Sequence, residues 1–491
     1  MLGMYVHTHW GYNRPYAARA WTVADWADYL EGLSRLGYDT LKVWPQIDTM
    51  PATPTASDAA YLRTLAEAVD IAHGRHGMKV ILTLTANCMG NARAAQYPFA
   101  SRPYFLCERK VDPRDTAEVQ ALLAQRRNAL APLRNADAIA VIDSDPGGFI
   151  GSTNEEFVML CVEQARVFRE LNPAGEFVYW MLAGWETYCA FWQAQQDHAE
   201  ARPNLWDYQK PEEFDVILGL MKMRLPEPWW LTCWLPAHEG AVDRQGLREK
   251  AMYYPYGVVE GEPTFPLTVC GGLGQALAAG QRGRHPRGVM ANAQTHCLQL
   301  PHTFWFAALA RQEVASVREF PDETTLAAFA ARLLPSLAAP IAAAWNAVEA
   351  REPALQWRAA AALRKAAAGD LATGDLAGLL FGDPRRFLVD LAMNLEVRAA
   401  LTELGTAIEK GAAVKAKMRE VLGRLLPYQR RIGFVDAYGG PLYSLLNEPL
   451  KRLNDPALDA VLRDFDDWHR PAVRNGIVPR LLDAMASYAH G

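Results

Sequence analysis

Eight short apolar runs alternate with amphipathic helical stretches over the first 310 or so residues, and this alternation narrows the choice of fold more than any other feature. The runs lie at 4–7, 40–44, 79–84, 138–142, 177–182, 229–235, 251–256 and 288–291. Each is bounded by turn or helix signals, as buried strands are. Thr22, with Asp25 three residues on, makes a capping-box pattern ahead of Trp26, Leu30, Leu33 and Leu36, and Gly37 stops that helix. A helix over 61–76 stops at Gly77, and another spans 117–133. Ser152 and Thr153, each followed three residues later by Glu, cap the next, which runs to 170. Further helices are predicted from Pro211, over 244–249 and near 274–279. Eight βα units with right-handed crossovers predict an α/β fold, a (β/α)8 TIM barrel with enlarged loops. The rival is a doubly wound open sheet, but no GxGxxG follows the first strand.

From Phe306 onward the strand-like runs cease and Ala- and Leu-rich helices take over, at 325–334, 355–368 and from Asp383-Pro384 to 409. The chain is therefore read as a catalytic barrel over 1–319 and an all-helical C-terminal domain over 320–491, with a Gly- and aromatic-rich island at 433–449. No fixed-period repeat points to a solenoid.

Composition narrows the function. The 491 residues are 50% hydrophobic and 21% charged, enough for a large core. A net charge of -5 gives no basic footprint for nucleic acid, and no apolar run reaches the roughly 18 residues of a membrane span. Cys88, Cys107, Cys161, Cys189, Cys233, Cys270 and Cys297 are odd in number and lack CxxC spacing, which argues for a reducing compartment. The first ten residues lack the charged and apolar regions of a signal peptide. A cytoplasmic location is expected, with export after signal removal as the alternative; homo-oligomerisation stays open, and no cofactor is expected.

A TIM barrel builds its chemistry at the C-terminal ends of its strands. The fourth run ends in Asp143 and Asp145, before Pro146-Gly147-Gly148. Continued strand alternation would put both carboxylates on one face, with Cα atoms about 6.5 Å apart. Such a pair splits its pKa values and suits acid/base work; the plainer role for both is turn and cap chemistry. His7, His9 and Trp10 follow the first run, Lys42 and Trp44 end the second, and Asn87 follows the third. Trp185 and Glu186 follow the fifth, Trp234, His238 and Glu239 the sixth, Tyr256 and Glu260 the seventh, and Asn292, Gln294 and His296 the eighth. Aromatic faces with amide, imidazole and carboxylate partners suit a carbohydrate substrate, since sugar rings stack and their hydroxyls pair. Any one of these tryptophans alone reads as packing; four at strand ends point to a binding wall.

Paired acids at the end of a fourth barrel strand resemble the family 20 hexosaminidases and the O-GlcNAcase-like glycoside hydrolases, and the barrel-plus-helices layout resembles the α-glucuronidases. The resemblance covers residues 4–310 in architecture and only Asp143-Ser144-Asp145 in motif. Those families carry adjacent acidic pairs, whereas Ser144 intervenes here. The resemblance implies a substrate-assisted glycosidase in which Asp143 orients the nucleophilic group and Asp145 is the acid/base; long loops after the second, third and fifth strands, able to close a pocket, point to exo action. Glu186, Glu239 and Glu260 are the other candidates for the second carboxylate. Asn447-Glu448-Pro449 matches a retaining-clan signature but falls in the helical part. Two rivals are a metal-dependent amidohydrolase using His7 and His9, with His238 and His296 as further ligands, and a non-catalytic carbohydrate-binding barrel. Against the first, no lysine ends the fourth run and Asn292 stands where an aspartate is needed.

Overall fold

The computed structural model describes residues 1–9, 13–197, 203–254, 284–293, 300–311, 321–350, 352–432, 446–447, 449–466 and 477–491. Eight parallel strands close into a barrel: β1 Leu2–Val6, β2 Thr40–Val43, β3 Lys79–Thr85, β4 Ala138–Ile142, β5 Glu176–Trp180, β6 Trp229–Cys233, β7 Ala251–Tyr253 and β8 Val289–Ala293. Closure is made by β1 and β8, paired from Leu2↔Val289 to Val6↔Ala293. All eight sequence runs are strands, and the fold class is the expected one.

The helices begin and end where their chemistry directs. Thr22 Oγ1 accepts from Asp25 N at 3.3 Å while the Asp25 carboxylate accepts from Thr22 N at 2.8 Å, opening helix Val23–Arg35. Gly77, at φ +61, closes helix Ala56–His76 in a conformation that favours glycine. Asp383 caps helix Pro384–Lys410 through Arg386 N at 2.9 Å. Two details differ from the sequence reading. Ser152 is not the cap of helix Asn154–Leu171; Glu156 reaches back to Thr153 N at 2.6 Å. The helix after β6 is Pro236–Arg244, earlier than the predicted 244–249, because Pro236 is favoured in a first helical turn.

Strand alternation sorts the side chains into two layers. Tyr5, Ile81, Ala140, Ile142, Val178, Trp180, Trp230, Met252 and Met290 fill the barrel, while Met4, Leu41, Val141, Tyr179, Leu231 and Val289 pack outward under the helices. The small Ala138 and Ala140 of β4 leave room for the indoles of Trp180 and Trp230.

The C-terminal helices include Glu323–Leu333, Ala338–Ala350, Pro353–Ala367, Pro384–Lys410, Val414–Ile432, Pro456–Asp466 and Ile477–His490. They share one continuous apolar core with the outer barrel layer. Helix Leu300–Ala310 is buried almost all round between the two, with Phe304 stacked on Phe329 at 4.3 Å. Phe381 packs on Trp21 and Tyr29 at the first barrel helix. No helix among the described residues is long and apolar enough to cross a membrane.

This docking is close enough to forbid a side chain at one point: a Cβ on Gly378 would lie 2.6 Å from the backbone oxygen of Asp28. Gly378→Ala is expected to cost about 1–3 kcal/mol, the usual range for overpacking, read by denaturant unfolding. Unchanged stability would show that this contact does not hold the helical region to the barrel.

Candidate active site

The loop after β3 builds one wall of the barrel mouth. Cys88–Gly90 and Glu108–Lys110 pair as an antiparallel ribbon, with Gly90 opposite Glu108. The ribbon is tied down from beneath by a buried ion pair. Arg126 Nη2 lies 2.8 Å from Asp48 Oδ1, both side chains fully buried, and it also donates to Cys88 O at 2.6 Å. Asp48 in turn accepts from Trp44 Nε1 at 2.6 Å and from Thr85 Oγ1 at 2.7 Å. One carboxylate thereby fixes the ribbon, the end of β3 and the indole that follows β2.

On the ribbon, alternation puts Glu108 and Lys110 on one face and Arg109 on the other, where it pairs with Glu118 at 2.9 Å. Glu108 Oε2 is buried without a hydrogen-bond partner. Burial pushes the Glu108 carboxyl up to about 8; Lys110 pulls it down, and the charges of Asp48 and Asp145 push it further up. Burial lowers the Lys110 ammonium, which sits 4.0 Å over the Trp192 ring. Asp145 is exposed and accepts from Tyr188 OH at 3.0 Å. Glu108, with its carboxyl raised by burial, and the solvent-facing Asp145 thus lie near one another, with Lys110 acting on both.

An aromatic wall continues from Tyr104 across the mouth. Tyr104 meets His9 at 4.4 Å, His9 meets Trp44 at 4.3 Å, and Trp44 meets Trp180 at 5.9 Å between ring centroids. Trp180 meets Tyr254 at 5.2 Å and Tyr5 at 5.6 Å. Lys42 lies among the last three, its Nζ 3.4 Å over the Trp180 ring. The His7 and His9 rings meet tilted at 4.3 Å between centroids, and burial, with His7 beside it, holds the His9 imidazole well below its usual range. No third His, Cys, Asp or Glu ligand joins these two among the described residues. Asn87 bridges the ribbon exit and the fourth loop, donating to Val111 O at 2.8 Å and Gly148 O at 3.1 Å. Asn292 lies beside Tyr5 in the barrel register, and the half-buried Trp234 meets Trp206.

The shared face expected for Asp143 and Asp145 is not formed. β4 ends at Ile142, so strand alternation stops before either residue, and Asp145 takes φ +30. Asp143 is fully buried on the outer side. It accepts from Ser144 Oγ at 2.7 Å, Tyr179 OH at 2.8 Å, and the backbone N–H groups of Leu182 and Ala183, each at 3.1 Å. It pins the loop after β5.

Four more sequence candidates serve structure. Glu186 lies in the first turn of helix Trp185–Asp197, not at a strand end, and accepts from Asn154 N at 3.0 Å. Trp185 stacks on Phe157 and donates to Ser152 Oγ at 2.8 Å, behind the sheet. Glu239 bonds Arg248, His285 and the Cys233 thiol outside the barrel; burial pushes its carboxyl up, but these donors prevail and hold it near about 2. The imidazole of His238, driven to about 3 by burial, accepts from Trp234 N and pairs with Leu182 O at 3.0 Å. Trp10, Tyr256, Glu260, Gln294 and His296 lie outside the described residues.

Glu108, Asp48 and Lys110 were not legible as site residues. The available signal was the 30-residue connection from 86 to 115, far longer than barrel loops need.

Asp143→Asn puts an amide N–H₂ where two backbone N–H groups and two hydroxyls now donate. It is expected to destabilise the fold by about 2–4 kcal/mol, while Asp145→Asn leaves the melting temperature nearly unchanged; equal melting of the two variants would refute the assignment. No protein-family model and no curated protein matches the chain. Among solved structures it is similar to PhdJ bound to substrate intermediate, at 12% identity and TM-score 0.34, covering 82% of this chain and 96% of that one. It is also similar to the exo-beta-1,4-mannosidase Op5Man5 from Opitutaceae bacterium strain TAV5, at 13% identity and TM-score 0.33, covering 64% of this chain and 60% of that one. Likeness this remote carries no argument about chemistry, which rests on the side chains themselves.

Proposed function

We propose that the protein is a glycoside hydrolase working from the mouth of its barrel, with Glu108 as the proton donor and Asp145 as the second carboxylate. The observation that carries this reading is the buried Glu108 Oε2, without a hydrogen-bond partner among the described residues and near the exposed Asp145; burial pushes its carboxyl up, to about 8. Glycosidic cleavage needs such an asymmetric pair: one group must give a proton to the leaving oxygen, and the other must attack the anomeric carbon or activate a water against it. An unperturbed glutamic acid would already be ionised at neutral pH and could not donate. Burial supplies the asymmetry on one side, and solvent preserves the other.

The surroundings suit a sugar. Tyr104, His9 and Trp44 meet edge to face in a chain of rings, while Tyr188 and Trp192 flank Asp145 and Lys110. Flat aromatic faces take the apolar faces of a pyranose, and the Lys110 ammonium can donate to its hydroxyls. Asp143 then acts through position: it holds the loop after β5, which leads into the helix Trp185–Asp197 whose Tyr188 reaches Asp145. Exo action remains part of the proposal, with aryl N-acetylhexosaminides and uronides as the first substrates to screen.

The test is release of aglycone or reducing sugar. Glu108→Gln and Asp145→Asn are each expected to lower turnover at least about a hundredfold, the usual contribution of a general acid or base. The pH profile carries a second check. A general acid works while protonated, so activity is present below about 8 and falls as pH rises through it. Wild-type turnover in Glu108→Gln, or an alkaline limb unchanged in that variant, would remove Glu108 from the mechanism. Binding of sugars without any turnover would leave a carbohydrate-binding barrel instead.

A further inference from the structure

We propose that Lys42 is a carbonyl-reactive amine, placed on the barrel axis to condense with the carbonyl carbon of a small aldehyde or ketone. This goes beyond the glycosidase reading and does not rest on it.

Lys42 pairs in register with Tyr5 of β1 and Ile81 of β3, and its side chain enters the barrel with theirs. It is 1% exposed. Its Nζ reaches across to β5 and lies 3.4 Å over the Trp180 ring, with the Tyr254 and Tyr5 rings at 4.7 and 5.5 Å. The nitrogen has no hydrogen-bond partner, and no carboxylate pairs with it among the described residues. Ring faces attract a cation, but burying an ammonium without a counter-ion costs more than they return. The balance favours the free amine, and burial accordingly holds Lys42 well below its usual range.

A free amine keeps its lone pair, which is the reactive feature of imine-forming lysines. A core position meant only for packing would carry leucine or methionine. Two more buried hydroxyls of the same inward set, Thr83 Oγ1 and Thr232 Oγ1, also lack hydrogen-bond partners. Together with the Lys42 nitrogen they place three polar atoms without partners among the described residues in one inward layer of the barrel.

The step balances without an oxidant or reductant. The Lys42 lone pair adds to the carbonyl carbon, one N–H proton passes to the oxygen, and a second leaves with it as the C–O bond breaks. The products are a C=N bond to Nζ and one water. Keto acids and open-chain aldoses share the required carbonyl, and the experiment separates them.

The full-length protein is incubated at neutral pH with pyruvate in one arm and glyceraldehyde in the other, then treated with sodium borohydride, which reduces any C=N bond to a stable secondary amine. Intact mass and peptide mapping of the wild-type protein locate the adduct. One adduct per chain is expected, on Lys42, formed at least about tenfold faster than on surface lysines, since each unit of lowered pKa raises the free-amine fraction tenfold. Adduct in one arm alone identifies the ligand class. Adducts spread evenly over surface lysines, with Lys42 unmodified in both arms, overturn the proposal. Lys42→Met, checked for folding by its thermal melt, is expected to lose the specific adduct; retention of that adduct also overturns it. Trapping is read on Lys42 itself, so absence of glycosidase activity would sink the earlier reading and leave this one standing.

Discussion

The parallel pairing of β1 with β8, from Leu2↔Val289 to Val6↔Ala293, turns a sheet into a barrel. Closure removes both edges and brings the C-terminal ends of eight strands to a common rim. It also forces alternate side chains of every strand into one enclosed layer. Large rings fill that layer, and the amine of Lys42 is carried into it with them. The unusual electrostatics of the mouth follow from this geometry: a group enclosed by a barrel loses water and keeps only the partners its neighbours supply.

Those partners decide what each buried charge becomes. Asp143 and Glu213 are both shielded from solvent, and both collect donors. Asp143 takes two backbone N–H groups and two hydroxyls, and Glu213 takes Glu186 N at 2.6 Å and Thr187 Oγ1 at 2.6 Å. They are clamps on one loop, from Leu182 to Thr187. Among the described residues, Glu108 keeps one oxygen without a partner and the Lys42 nitrogen has no hydrogen bond. Saturated carboxylates hold structure; groups left short of partners retain chemical potential that a ligand can use. The same distinction separates Glu239, saturated by Arg248, His285 and Cys233, from the mouth residues.

The ribbon over β3 shows how a scaffold delivers such a group. Glu108 comes from no barrel strand. Pairing with Cys88–Gly90 positions it, and the Asp48–Arg126 pair holds that strand. Asp48 also orients Trp44, so the acid and part of the aromatic wall share one buried support. A disturbance at Asp48 would therefore reach both.

Periodicity in the amino-acid chain was sufficient to define the eight strands, the stops at Gly37 and Gly77, the caps at Thr22 and Asp383, and the change to helices after the barrel. These depend on neighbours a few residues apart, and local spacing encodes them. It also brought Lys42, Trp44, His7 and His9 to the rim, because residues at strand ends must converge once the barrel closes. Which carboxylates meet there was settled only in three dimensions. Asp143 and Asp145 part because the strand ends at Ile142, and Glu108 enters because a long loop folds back over the mouth. Hydrogen-bond saturation and loss of water arise between segments distant in the chain, so no local pattern records them.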